Sequence, residues 1–263
     1  MGKYLYLLKY EAKTIVRTPI NLFMCMFPVI ILMLSAFVFP LIFQSMNPAD
    51  EAALRMTMLL LLIIVLTIGG YFLAAMATFL LLEHKDENTL KTIAVTPVGA
   101  SGYVRFKMIY VYIMAVIGIV LILLGTKLIA GDKYSIGGIS LFENVSVLEM
   151  LSFAAVSALM IPALALFQGA FAKNKVEGFA YIKGTGIIAL VPVVLILEVF
   201  QGGLQYVLGI FPNFWAVKGI MLLFFPIQNS ANLSYPIYLL IGAVYSMIMI
   251  YTAYRMFLKK AEY

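Results

Sequence analysis

The densest group of side chains capable of acid–base, ligand or ion-pair chemistry is the run Glu83-His84-Lys85-Asp86-Glu87-Asn88-Thr89-Leu90-Lys91. Its types and spacing do not build a catalytic centre. His84 is the sole histidine, so no His-x-x-x-His metal pair exists within the chain. No G-x-x-x-x-G-K-[ST] loop is present to cradle a nucleotide's phosphates, and no Gly-x-Ser-x-Gly elbow to expose a nucleophile. The spacing suits a short helix instead. Glu83 and Glu87 stand four apart, and Glu87 precedes Lys91 by four, the favourable order for a helical ion pair. Leu90 and Ala94 add a small apolar ridge, and Pro97 with Gly99 and Gly102 stops the helix. Two readings stand side by side. One is a solvated loop whose ion pair contributes roughly 0.3–0.5 kcal/mol. The other is a helix seated in the groove of a partner.

The elements that position this run are apolar. The chain is 64% hydrophobic and 11% charged, which no soluble core of this size can accommodate, so lipid must take the excess. Runs long enough to cross a bilayer cover 20–43, 56–82, 108–130, 148–171, 184–200 and 235–257. The first is too long for the apolar region of a signal peptide and is read as a retained span. Before it, residues 1–18 form an amphipathic helix: Tyr4, Leu7, Leu8 and Ile15 on one face, Lys3, Lys9, Lys13 and Arg17 around the other. Pro19 ends it, and Pro162 predicts a kink in the fourth span. Between the fifth and last spans, 201–225 is apolar but broken by Gly202, Gly203, Gly209 and Pro212. It is either a re-entrant hairpin or an interfacial loop whose Tyr206, Phe211, Phe214 and Trp215 form an aromatic belt. The fold class is therefore all-α and polytopic, a single membrane domain with no sizeable soluble part.

Charge sets the topology. One set of connecting segments holds Lys3, Lys9, Lys13 and Arg17, then Lys85, Lys91, Arg105 and Lys107, then Lys173, Lys175 and Lys183, then Arg255, Lys259 and Lys260. The opposite set holds Arg55, Lys127, Lys133 and Lys218. The richer side is expected to be cytoplasmic, with both termini inside. The net charge of +6 thus lies at span ends, and nucleic acid is not expected as a partner. Cys25 sits alone in an apolar run and cannot form an internal disulfide. Carboxylates within the runs are scarce: Glu149 opens the fourth and Glu198 lies near the end of the fifth. Ion-coupled carriers place ionisable groups near mid-membrane, so this class and an intramembrane enzyme are both disfavoured. Glu198 either faces an exit path or snorkels to the interface.

The run LLLEHKDENTLKTIAVTPVGASGYVRFKM resembles the signature of the type-two ABC transporter permease family: an acidic charged stretch, Thr-Leu, Thr-Pro, then a basic residue opening the third span. The helix ending in Arg17-Thr18-Pro19 resembles that family's elbow helix. AKNKVEGFAYIK and FPNFWAVK look like the fluoroquinolone-type drug-exporter branch. The chain departs from it at Phe211-Pro212-Asn213-Phe214-Trp215-Ala216-Val217-Lys218, where relatives often carry Pro-Pro-x-Trp-Pro-x-Lys. The resemblance spans essentially the whole chain. It implies an exporter's permease subunit with six spans and a re-entrant outer hairpin at 201–225. The partners implied are a separate ATPase carrying the ATP and Mg, and a second permease copy or homologue. No cofactor is expected on this chain. The 83–107 segment would hold the helix that couples to the ATPase, through Glu83, Asp86, Glu87, Thr89, Leu90, Lys91, Ile93, Thr96 and Pro97. Asn174, Lys175 and Glu177 would form a second, smaller cytoplasmic loop. Apart from the resemblance, Glu198, Asn213 and Trp215 are the candidates for an exit path. The alternatives are an ion-coupled carrier or channel, and a non-transporting membrane sensor or assembly protein.

The charge split yields a direct test. In a variant lacking Cys25, a cysteine placed at Asn88 should react with an impermeant thiol reagent only after the membrane is opened. Labelling from outside intact cells would invert the topology.

Overall fold

A computed structural model describes residues 2–47, 50–86, 89–96, 98–226 and 231–261. The chain is a bundle of helices, of which six are long and apolar enough to cross a membrane. Helix α1 covers Gly2–Arg17, α2 Pro19–Met33 and α3 Phe39–Ser45. Helix α4 runs unbroken over Glu51–Asp86, α5 over Thr89–Ala94 and α6 over Gly99–Ala130. Then come α7 (Val147–Ser157), α8 (Met160–Phe171), α9 (Lys175–Ala189), α10 (Pro212–Phe224) and α11 (Tyr235–Ala261). Helix α4 is the axis of the bundle and packs against α2, α6, α8 and α9. A two-stranded hairpin, β1 (Ser135–Ile136) with β2 (Ile139–Ser140), sits on the connection after α6. Gly137 and Gly138 make its tight turn at φ of 59° and 82°, a region closed to most side chains.

Helices break at Pro19 and before Pro162 as expected, and at a further place before Pro40. Pro19 is the first residue of α2 and so separates it from α1. Between α2 and α3, residues Leu34–Val38 form a π-helical turn. The N–H of Phe39 there reaches back to Leu34 O, so the next N–H would take Ser35 O. That next residue is Pro40, which has none. The Tyr134 hydroxyl donates to Ser35 O at 2.6 Å instead, and the Ser35 hydroxyl meets Thr126 at 2.6 Å. Burial pushes the Tyr134 phenol well above its ordinary pKa, which keeps it a donor. In the fourth span, Pro162 follows a break at Ala158–Leu159 that divides α7 from α8. Close approach also matters: a Cβ on Gly118 or Gly125 of α6 would lie 2.9 Å from Pro28 or 2.6 Å from Leu32 of α2. Glycines there let the two helices pack backbone to side chain.

The element bounds differ from expectation in three places. Residues 83–107 are not one loop, because Glu83–Asp86 is the last turn of α4 and 99–107 opens α6. The fifth span starts at Lys175, not at 184, and the expected basic loop shrinks to 172–174. Asn174 caps that helix by accepting from Glu177 N at 2.9 Å, a local signal strong enough to start it among charged residues. After Ala189 the chain tightens into 3-10 turns, Val191–Ile196, Glu198–Phe200 and Gly203–Ile210, before α10.

Replacing Tyr134 by Phe should leave Ser35 O buried without a donor and cost about 1–3 kcal/mol. The readout is the thermal unfolding midpoint in detergent, with Tyr245→Phe as comparison, since the Tyr245 bond to Ile210 O is exposed. Equal midpoints for the two variants would show that the π turn does not depend on Tyr134.

Candidate functional site

The helix ends near α5 carry the chain's densest polar contacts. Glu11 is the one acidic residue before Asp50, and it lies on the buried side of α1, one turn from buried Ile15. Its Oε1 accepts from the Tyr103 hydroxyl at 2.7 Å and faces Lys107 Nζ at 3.4 Å, with both charged side chains 1% exposed. Lys107 also donates to Leu80 O of α4 at 2.6 Å. The Tyr103 oxygen lies 2.7 Å from His84 Nε2, and His84 Nδ1 lies 2.7 Å from Thr89 Oγ1. Tyr103 has one proton, which it donates to Glu11 Oε1, so His84 Nε2 faces it as the N–H donor. In a neutral ring Nδ1 is then the acceptor and the Thr89 hydroxyl donates. A single ordered chain, Thr89 to His84 to Tyr103 to Glu11, therefore ties α5, α4, α6 and α1 together.

A second group joins α4 to α9. Glu83 pairs with Lys175 at 3.6 Å, and Asp86 Oδ2 accepts from the Lys175 backbone N–H at 3.2 Å, at the first residue of α9. Asn174 caps α9, and Glu177 turns back to accept from Lys173 N at 2.9 Å. Lys85 closes the end of α8 by donating to Gly169 O at 2.8 Å and Ala172 O at 3.0 Å. Both anticipated sets, Glu83 and Asp86 with Asn174, Lys175 and Glu177, thus meet in one cluster and pair with each other. Thr89 joins the His84 chain, Ile93 is half-buried, and exposed Thr96 donates to Ile93 O at 2.7 Å. Glu87 and Pro97 lie outside the described residues. Leu90 and Lys91 belong to α5, and their side chains lie outside the description. Two large apolar side chains here stay uncovered: Val95 just after α5 is 86% exposed, and Val176 at the start of α9 is 82% exposed.

Inside the bundle, Gln168 of α8 is fully buried and links two other helices. Its Oε1 accepts from Thr78 of α4, and its Nε2 donates to Thr185 of α9 at 2.5 Å. Tyr71 of α4 donates to Ile182 O and lies 3.0 Å from Thr185. Of the residues expected on an exit path, Glu198 is exposed in a 3-10 turn. Trp215 is half-buried and donates to Gly209 O at 2.9 Å. Asn213 is buried and donates to Ile188 O and Ala189 O, the last carbonyls of α9. The structure thus gives these three residues separate surroundings. Sequence reasoning missed Glu11, His84, Tyr103, Lys107 and Gln168. The available signals were a lone acid in a basic amphipathic helix and a lone amide in an apolar run.

A helical bundle with six candidate spans, a preceding amphipathic helix and a polar cluster at the helix ends has the architecture of a multi-pass membrane protein. The family model described as "Fluoroquinolones export permease protein Rv2686c-like" matches residues 11–254, and the chain belongs to that family. Two curated proteins named as fluoroquinolones export permease, from the CDC 1551 / Oshkosh and H37Rv strains of Mycobacterium tuberculosis, are each 27% identical to it over 187 residues. The match takes in 71% of this chain and 66% of each relative's length. No solved structure matches the chain.

The Glu11–Lys107 pair predicts a non-additive outcome. Glu11→Met or Lys107→Met alone leaves one buried charge uncompensated and should destabilise by about 3–5 kcal/mol. The double variant should recover most of that loss, because no charge is then stranded. Additive losses in unfolding midpoint would mean that the two groups do not act as a pair.

Proposed function

We propose that this chain is the membrane-spanning permease subunit of an ATP-driven ABC exporter. It acts with a separate ATPase subunit and a second permease copy or homologue, and moves an amphipathic, drug-like molecule outward. Support for the export role comes from family membership and from what the relatives' names say of those proteins. In this reading both termini and α5 are cytoplasmic, and the chain from Gln201 to Phe225 re-enters the membrane from the outer side. ATP and Mg are held by the partner, since the sequence has no phosphate-binding loop.

The observation that carries the coupling role is the pair of exposed valines on a rigid polar platform. Val95 and Val176 adjoin residues that are charged or hydrogen-bonded, at an end of the bundle where Asp86, Lys173 and Glu177 need water. Lipid is therefore not their natural cover, and a soluble subunit is. The residues around them are committed within the chain: Glu83 and Asp86 to Lys175, Thr89 to His84. A force applied at Val95 or Val176 thus passes directly to α4, α6 and α9. Apolar contact at the valines supplies affinity, and the internal pairs supply stiffness. This assigns Glu83 and Asp86 to bracing the platform, with ATPase contact left to α5 and the two valines.

Burial of a valine is worth about 1.5 kcal/mol or more, so Val95→Asp with Val176→Asp should lower ATPase recovery at least tenfold. The measurement is co-purification of the ATPase at matched membrane levels of permease, with drug efflux in parallel. Undiminished recovery and efflux would remove the coupling role from this surface. The permease purified alone should show background ATP turnover only.

A further inference from the structure

Near the middle of α4, a cavity of about 20 Å³ opens where α4, α6, α8 and α10 converge. Its polar lining is Thr67, Tyr71, Ser157 and Asn213, with Gly70 leaving the space and apolar side chains closing the rest. We propose that this cavity receives the hydrogen-bond-donating end of the transported molecule, a protonated amine or N–H group, with Asn213 Oδ1 as its acceptor. The proposal rests on the export reading for the word "transported"; the site itself is argued from its own chemistry.

Asn213 is 6% exposed. Its Nδ2 must face Ile188 O and Ala189 O, at 3.2 and 2.9 Å, because carbonyls only accept. That fixes the amide's orientation and leaves Oδ1 buried without a partner. Two of the neighbouring donors are committed elsewhere, and the third, Ser157, does not reach Oδ1. The Thr67 hydroxyl is spent on Ile63 O at 2.8 Å, and the Tyr71 hydroxyl on Ile182 O. No carboxylate or ammonium lines the cavity. The protein therefore presents a neutral, preorganised acceptor that none of its own donors reaches, so a ligand or a water must bring one. The backbone around the cavity is also broken on three sides. Helix α7 gives way to α8 just after Ser157, α9 ends at the carbonyls that Asn213 holds, and α10 begins at Pro212. Within a membrane, broken helices are tolerated where they are buried in protein or line a cavity, and transporters build substrate sites from them. The present volume admits one water-sized group. It fits the tip of a ligand, and the remainder must lie between spans that part from this closed arrangement.

Trp215 is the sole tryptophan and stands two residues from Asn213 at the start of α10, so its emission is a nearby reporter on the same helix. The experiment titrates the purified permease with norfloxacin, whose ring amine is protonated at neutral pH, and with tetraphenylphosphonium, a cation without N–H. Norfloxacin should quench Trp215 saturably, and Asn213→Leu should raise the apparent Kd about tenfold or more. Gly70→Ala provides a second variant that leaves Asn213 in place. Its methyl would lie 3.1 Å from Ile161 Cδ1 and fill the cavity, while alanine suits the helix better than glycine. It should weaken norfloxacin comparably. Tetraphenylphosphonium should show no dependence on Asn213. Equal norfloxacin affinity in wild type and Asn213→Leu would overturn the proposal. So would an absence of saturable quenching, the cavity then holding ordered water only, or an equal loss for tetraphenylphosphonium. The export reading stands or falls separately, on ATPase co-purification and efflux.

Discussion

The structure depends on one constraint: a backbone carbonyl freed inside an apolar bundle must find a donor within the protein, since lipid offers none. Several interruptions of helices here are answered by a side chain from another element. Tyr134 donates to Ser35 O beside the π turn, and Lys85 to the last carbonyls of α8. Asn213 donates to the last carbonyls of α9, and Tyr112 to Ala155 O near the α7–α8 break. Tyr235 reaches Glu149 O from α11, and Trp215 reaches Gly209 O within the 3-10 segment. All but the Trp215–Gly209 bond join elements distant in sequence, so places where helices break are also places where the bundle is cross-linked. The broken backbone is thereby made specific rather than loose.

Helix α4 gives that cross-linked frame an axis. At about 1.5 Å per residue, its 36 residues reach roughly 54 Å, well beyond a hydrocarbon core of about 30 Å. Its excess length bears Glu83, His84, Lys85 and Asp86, which contact α9, α5 and the end of α8. The charged cluster is thus the projecting end of a span, and no flexible joint separates it from the residues that line the central cavity.

Composition and hydropathy made the spans legible, because lipid imposes a length and a polarity that few other environments share. Pro19 and Pro162 marked breaks through their missing donors. The boundaries were less legible where polar residues sit on a helix. Lys175 and Lys183 read as loop, yet the Asn174 cap and the pairing of Lys175 with Glu83 make helix the better state. Glu11 illustrates a deeper limit. Nothing in its amphipathic setting singles it out, and only the fold brings Tyr103 and Lys107 to it. His84 was dismissed as a metal ligand, which says nothing about its use as a bridge between two hydroxyls. Asn213 was singled out only as an exit-path candidate, whereas its orientation and its unpaired oxygen depend on carbonyls more than twenty positions away. Periodicity and composition report on one element at a time, and these residues act between elements.

The bond between Glu11 and Tyr103 crosses 92 positions of sequence. When α1 leaves the ribosome, the side chains that will hold it have not yet been made. Until the start of α6 is translated, Glu11 has neither Tyr103 nor Lys107, and burying its charge would be costly. The N-terminal helix must therefore wait in the aqueous interface while α2 and α4 insert. It can settle into its final seat only after the third span has arrived, which makes the docking of the first segment a late event in biogenesis.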